Sequence, residues 1–255
     1  MIDEPADLQS GPTDDQLAFA RAYLADGPMD PEILTRIQNP DYVAARDIAK
    51  AERLARDWAG LGYYRRANAA LGGQSVDVVF IGDSITEMWA VADPGLFSGG
   101  YINRGISGQT SPQILLRFMA DVVALRPRAV HLMCGINDVA GNTGPNTPAD
   151  YQNNVHAMLD LAQTHGIGVI LASLTPAAGF TWSPEISGVA ARVHDLNAWL
   201  VDLAARRGLV FADYHTALTS PDGALRPELT RDGVHPTSAG YRLMRPVLAR
   251  AVALV

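Results

Sequence analysis

The stretch Val76-Asp-Val-Val-Phe-Ile-Gly-Asp-Ser-Ile-Thr86 constrains this chain more than any other. A β-branched and aromatic run stops at Gly82-Asp83-Ser84, and an apolar-containing segment follows at once, a pattern that predicts strand, tight turn and helix. The Ser84 hydroxyl then lies at the carboxyl end of a strand and in the first turn of a helix. Open α/β sheets take their ligands at those strand ends, and helix N-termini favour developing negative charge. A nucleophile would fit there. A plain N-cap would fit as well, because serine is among the best caps, and this segment alone leaves both readings open.

After residue 75 strand patterns alternate with helical ones. Strands are expected at Val76–Ile81, Tyr101–Asn103, Ala129–Cys134, Gly168–Ser173 and Leu209–Ala212. Between them, Ser111-Pro112 and Thr147-Pro148 read as helix caps followed by proline at the first helical position. Tyr151, Val155, Met158 and Ala162 follow the helical period, as do Val189, Val193, Leu196, Leu200 and Leu203; a last helix begins near Thr237. Apolar strands alternating with amphipathic helices predict a parallel sheet covered on both faces. The region before residue 76 reads as a tail and helical extension packed on a main domain of residues 76–255. Residues 1–13 are acidic with Pro and Gly, the composition of a loose tail. From Asp14 to about Ala70 the pattern is helical, broken at Gly27-Pro28 and Asn39-Pro40. Val43, Ile48, Ala51, Leu54, Ala55 and Trp58 predict one helix with an apolar face. Tyr63 and Tyr64, beside Arg65 and Arg66, are read as packing residues.

The 255 residues are 48% hydrophobic and 18% charged, with a net charge of −7. No basic cluster exceeds Arg65-Arg66 or Arg206-Arg207, which argues against nucleic acid or an anionic membrane as main partner. The single cysteine, Cys134, excludes an intrachain disulfide framework and argues against a cysteine-based metal site. The apolar stretches fall far short of a membrane span. Met1-Ile-Asp-Glu-Pro-Ala-Asp7 carries neither a basic nor an apolar signal region, so cytoplasm is the expectation for the chain as printed, and a secreted or periplasmic site if a signal peptide has been removed. Oligomeric state is not fixed by the sequence.

A serine nucleophile is weak until a base takes its proton, and that base must be oriented by an acid. Thr230-Arg-Asp-Gly-Val-His-Pro-Thr237 supplies Asp232 and His235, with Gly233 to permit a bend. An acyl-transfer site also needs donors for the oxyanion. In Asn103-Arg-Gly-Ile-Ser-Gly108, Gly105 lets a backbone N–H approach a ligand; in Gly135-Ile-Asn-Asp138, Asn137 offers a side-chain N–H. Each turn alone is ordinary.

In order and spacing, Gly82-Asp83-Ser84-Ile85, Gly105, Gly135-x-Asn137-Asp138 and Asp232-x-x-His235 resemble the four blocks of the SGNH (GDSL-type) hydrolases. The resemblance runs from about Val76 to Tyr241. Tyr101-Ile-Asn-Arg-Gly-Ile-Ser-Gly-Gln109 with Gly141-Asn-Thr-Gly144 looks most like the branch of platelet-activating-factor acetylhydrolase catalytic subunits. It implies Ser84 as nucleophile, His235 as general base and then acid, and Asp232 as its orienter. It implies an oxyanion hole of the Ser84 N–H, the Gly105 N–H and the Asn137 side chain. It also implies a flavodoxin-like α/β/α sandwich in three layers around a mainly parallel five-stranded sheet. Met88 and Ile136 stand where Gly and Thr are expected, a departure in local loop shape. No Gly-x-Ser-x-Gly elbow surrounds Ser84, which argues against the ordinary α/β-hydrolase fold.

Asp83 and Asp138 are read as turn caps, Cys134 as a buried thiol packing as a small hydrophobe, and the remaining histidines as structural, since none has metal-ligand spacing. No metal or cofactor is expected. Trp89, Phe180 and Trp182 follow predicted strands and could line an acyl or alcohol pocket or pack the core. The expectation is a metal-independent serine esterase for small, short-acyl esters, with acetylated carbohydrate and short-chain phospholipid as candidates. An acyltransferase using the same acyl-enzyme is the alternative; the intact set of site residues disfavours an inert carbohydrate-binding module.

Overall fold

The strands Val78–Gly82 (β1), Tyr101–Gly105 (β2), Ala129–Met133 (β3), Gly168–Ala172 (β4) and Val210–Ala212 (β5) form one sheet in the order β2-β1-β3-β4-β5, parallel throughout. The computed structural model describes residues 11–255. Every residue of β1 and β3 is buried, which is why these strands read as unbroken apolar runs. β1 begins two residues later than the sequence pattern suggests, at Val78. β2 runs two residues further, because its register pairs Gly105 with Gly82 at the carboxyl edge. The chain steps from β1 outward to β2 and then back past β1 to β3. The resulting switch point opens a crevice at the carboxyl ends of the strands, where such sheets bind ligands.

The helices are Asp14–Leu24 (α1), Pro31–Gln38 (α2), Pro40–Arg56 (α3), Arg65–Ala70 (α4), Ser84–Ala92 (α5), Ser111–Asp121 (α6), Ile136–Val139 (α7), Pro148–Thr164 (α8), Val189–Arg207 (α9), Tyr214–Leu218 (α10) and Ser238–Val252 (α11). Helices α8 and α9 bury the predicted stripes. Of the expected tail, residues 1–10 lie outside the described residues, and Thr13 caps α1 in a reciprocal box with Gln16. The cap of α6 is Thr110 rather than Ser111: the Thr110 N–H reaches Gln113 Oε1 at 3.1 Å, while Ser111 is committed to Asp138. The apolar face predicted for α3 is not buried. Ile48 is exposed, Trp58 lies beyond the helix end, and no α3 residue is fully covered. The reason is that α3 packs on α2, outside the main layers. A cavity of about 640 Å³ lies beneath it, lined also by α1, Tyr63, Tyr64 and Met88. Among the described residues, no helix is long and apolar enough to cross a membrane.

Close approach at the carboxyl edge fixes where α5 sits. A Cβ on Gly105 would lie 2.1 Å from the Glu87 nitrogen, and one on Gly82 would lie 2.2 Å from the Met133 carbonyl oxygen. The fully buried Arg117 of α6 fastens this edge. Its guanidinium donates to the carbonyls of Gly82 (2.9 Å) and Arg104 (2.7 Å), to Gln109 Oε1 (2.6 Å) and to Asp121 Oδ2 (3.0 Å). Removing one member of a buried ion pair leaves the other uncompensated. Arg117→Met is therefore expected to lower unfolding free energy by about 3–5 kcal/mol, read from the urea midpoint. A midpoint equal to that of the unmodified protein would refute the bracing role.

Candidate active site

Three side chains from two loops meet at the crevice. Asp83, after β1, turns its Oδ1 onto the Ile85 N–H at 3.0 Å and so caps α5. Ser84 is thereby the first helical residue and not the cap. Its hydroxyl lies 2.8 Å from Nε2 of His235. The His235 Nδ1 lies 2.6 Å from Asp232 Oδ2. Asp232 Oδ1 accepts the backbone N–H groups of Val234 (2.9 Å) and His235 (2.8 Å), which folds the loop back so that residues three apart face one another. Gly233, at φ +81°, supplies the bend.

This network assigns the imidazole tautomer: Nδ1–H donates to the carboxylate, and Nε2 is left to accept from Ser84. Burial would raise the Asp232 pKa. The hydrogen bond and charge of His235, with the loop N–H groups, outweigh it and hold the carboxyl below its ordinary range. Burial would lower His235, but Asp232 and then Asp83 hold it above its ordinary value. A serine hydroxyl, a base with raised affinity for its proton and an ionised acid thus stand in line, an arrangement suited to nucleophilic attack. The Ser84 N–H opens α5, with the positive end of the helix behind it.

Asn137, in α7, is buried. Its Nδ2 lies 3.0 Å from the Gln109 carbonyl and 3.3 Å from Asp83 Oδ2. Its Oδ1 accepts from Asn142 Nδ2 at 2.6 Å, and Asn142 Oδ1 accepts from the Trp182 indole at 3.0 Å. This relay points the amide nitrogen toward the crevice. Gly105 does not offer the free N–H expected of it. That N–H donates to Asn103 Oδ1 at 2.9 Å, and its Cα face is pressed against α5. Gly108, three residues on, has φ +79° and open space beside its Cα, and its N–H has no acceptor among the described residues.

The loop carrying Gly108 is held from below. Glu87 of α5 accepts the Ser107 N–H at 2.8 Å and the Tyr63 hydroxyl at 2.7 Å, and Gln109 Nε2 reaches the Ala59 carbonyl at 2.7 Å. Tyr63 and Tyr64 pack on Ile106. Of the three aromatic candidates, Trp89 lies within α5, fully buried against Phe80, Tyr214 and Tyr241, and is core. Phe180 is buried beside Trp182. Trp182 is 41% exposed with its ring 6.1 Å from the His235 ring, so it alone borders the crevice. Cys134 is buried, and burial raises its thiol pKa well above the ordinary value. Among the described residues, no three His, Cys, Asp or Glu side chains gather in a metal-binding arrangement.

The model of the GDSL-like lipase/acylhydrolase family matches residues 80–243. A GDSL-like lipase structure from Bacteroides thetaiotaomicron is 40% identical with a TM-score of 0.74, and the match covers 77% of this chain and 98% of that one. An acetylxylan esterase from Geobacillus stearothermophilus shares the fold at 21% identity and a TM-score of 0.57, over 69% of this chain and 94% of that one. No curated protein matches the chain.

Asp83 is fully buried, which pushes its carboxyl up to about 7; Asp138 is pushed up to about 6 in the same way. In the unfolded chain both ionise near pH 4. Between those values the unfolded state binds fewer protons, so stability falls as pH rises. Asp83→Asn keeps an acceptor for Ile85 and removes the buried charge. Its stability relative to the unmodified protein is expected to rise between pH 4 and 8 by on the order of 3 kcal/mol, several degrees in Tm. A pH-independent difference in melting would contradict the assignment.

Proposed function

The chain belongs to the GDSL-like lipase/acylhydrolase family, and from that premise we propose that it cleaves short-chain, acetyl-type carboxylic esters through a covalent acyl-Ser84 intermediate. The observation that carries the reading is the unbroken line from Asp232 through His235 to Ser84, at 2.6 and 2.8 Å, ending on the first residue of α5.

His235 Nε2 takes the Ser84 proton as Oγ attacks the ester carbonyl carbon, and Asp232 stabilises the imidazolium without itself being protonated. The carbonyl oxygen gains the charge. Its donors are the Ser84 N–H, the Asn137 amide and, in place of Gly105, the unengaged Gly108 N–H. The alcohol leaves with the proton from Nε2. Water then enters, gives its proton to the same nitrogen, and the acid is released as Ser84 Oγ recovers that proton. Asn142 holds the Asn137 carbonyl oxygen and so the amide plane, and Asn137 Nδ2, which faces the Gln109 carbonyl and Asp83 in the free protein, exchanges one of those acceptors for the oxyanion.

Among the described residues there is no long apolar lid segment of the kind that serves lipases at oil surfaces, and small soluble esters are the reading that fits this crevice. Trp182 beside His235 offers one aromatic wall for the alcohol part. The activity of the Geobacillus esterase puts acetylated sugars among the substrates to try.

Hydrolysis of p-nitrophenyl esters from C2 to C12 tests the proposal. The maximum is expected at C2–C4, and a maximum at C8 or beyond would overturn the short-chain reading. Ser84→Ala is expected to abolish both turnover and fluorophosphonate labelling; retained turnover would overturn the nucleophile. Asn137→Ala is expected to lower kcat by about 10²–10³, with Asn142→Ala intermediate. Wild-type kcat in Asn137→Ala would remove that donor from the mechanism.

A further inference from the structure

The acid of the site has a partner that the family-matched segment does not contain. Tyr23, near the end of α1, donates its hydroxyl to Asp232 Oδ2 at 2.9 Å, the same oxygen that faces His235 Nδ1. The match to the family covers residues 80–243, so this group is brought in from outside it. The contact is built into the fold. Arg231 Nε donates to the Tyr23 carbonyl at 2.6 Å, and its Nη2 to the carbonyls of Ala25 (2.6 Å) and Gly27 (3.1 Å). Asp26 accepts the Ala239 N–H at 2.8 Å and pairs with Arg242 at 2.6 Å. The Tyr23 ring stacks on Phe19, with centroids 5.9 Å apart. Four residues of the extension, Tyr23, Ala25, Asp26 and Gly27, are therefore clamped onto the loop and helix that follow Thr230.

We propose that Tyr23 is a positioning residue of the site: it acts through Asp232 to set the basicity of His235, so the N-terminal helix is part of the acid arm. This rests on the esterase reading above only for its effect on turnover. Asp232 Oδ2 divides its negative charge between two donors. A phenol that stays protonated, as burial and the neighbouring carboxylate ensure, draws charge away from the side facing the imidazole. It also fixes the carboxylate plane, which the two loop N–H groups on Oδ1 leave free to rock about one edge. Other groups face this pair as well: Asp83 from the β1–α5 turn, Arg231 from the same loop, and Tyr241 from α11. Tyr23 alone among them shares the oxygen that receives His235.

Tyr23→Phe keeps the ring and its stacking and removes only the donor. Charge then concentrates on Oδ2, the imidazolium is better stabilised, and the His235 pKa rises, by about half a pH unit. The rise is read in the resting protein from imidazole NMR, and in turnover from the acid limb of kcat/KM. Loss of the bond that holds the carboxylate in place outweighs that gain in turnover and lowers kcat by about fivefold to tenfold, with KM little changed. Replacement of Tyr23 by 3-fluorotyrosine, a stronger donor of nearly the same size, moves the His235 pKa the other way. Asp26→Ala serves as the control that loosens the clamp without touching the carboxylate. It lowers Tm and leaves the His235 pKa unchanged, since Arg231 still holds Tyr23 at the carboxylate. Opposite shifts for Phe and 3-fluorotyrosine support the proposal. An unmoved His235 pKa in both overturns it, whatever Tm does, and reduces Tyr23 to a packing residue. The NMR arm needs no substrate, so failure of the wild-type protein to hydrolyse esters would count against the esterase reading and not against the coupling.

Discussion

One buried guanidinium holds the carboxyl edge of the sheet together. Arg117 lies on the face of α6 that turns inward, and its donors take up the carbonyls at the ends of both β1 and β2. The Gly82 carbonyl also accepts the Ile106 N–H at 3.1 Å, so the guanidinium adds a second donor where the two chains leave the sheet to make turns. A hydrogen bond to a charged group contributes on the order of 1.5–3 kcal/mol, and this guanidinium makes four of them, to Gly82, Arg104, Gln109 and Asp121. Asp121, one helical turn away, keeps the charge compensated. The arrangement allows Ser84 and the loop after β2 to project from strands that end within one register of each other.

The electrostatics of the crevice follow from burial. Asp83 and Asp138 are carboxyls held in nearly water-free surroundings and resist ionisation, whereas Asp232, equally close to the reaction centre, is ionised because His235 and two loop N–H groups face it. Three acids within one site therefore do different work. Asp83 caps a helix, Asp138 ties the α6 and α7 starts together through Ser111, and only Asp232 faces an imidazole. Hydrogen-bond supply does not separate them, since Asp138 also accepts from Ser111 and Asn146; deeper burial of Asp83 and Asp138, and the imidazole beside Asp232, do.

Much of this was legible in the sequence because it is local. Strand, turn and helix succeed one another within a few residues around Ser84, and the turn holding Asp232 and His235 is closed by contacts at most three residues apart. The five strands were readable for the same reason, being short apolar runs between turn signals. The contacts that brace the site were not, because they join distant parts of the chain: Tyr23 with Asp232, Gln109 with Ala59, Trp182 with Asn142. Two of the missed points did leave a trace. Ile114, Arg117, Phe118 and Asp121 follow the apolar stripe of α6, so an arginine with an acid four residues on occupied core positions. Asn103 stands two residues before Gly105, the spacing at which an Asn side chain closes onto a backbone N–H, which is what occupies that donor. For Trp89 the sequence left pocket and core both open, and it is core because α5 runs on through Ala92 and turns the indole toward Tyr214 and Tyr241.

Helix α5 carries Ser84 at its first residue and Glu87 one turn later, and Glu87 grips the loop opposite through Ser107 while Gly105 abuts the same turn. Nucleophile and oxyanion loop are thus mounted on one stiff strut. The Asp232–His235 loop is mounted separately, on α1 and α11. Between the two mounts run the Ser84–His235 hydrogen bond and the bond from Tyr241 to the Ile85 carbonyl. The packing of α1 and α11 on α5, with Trp89 against Tyr241, ties the acid arm to the same helix that carries the nucleophile.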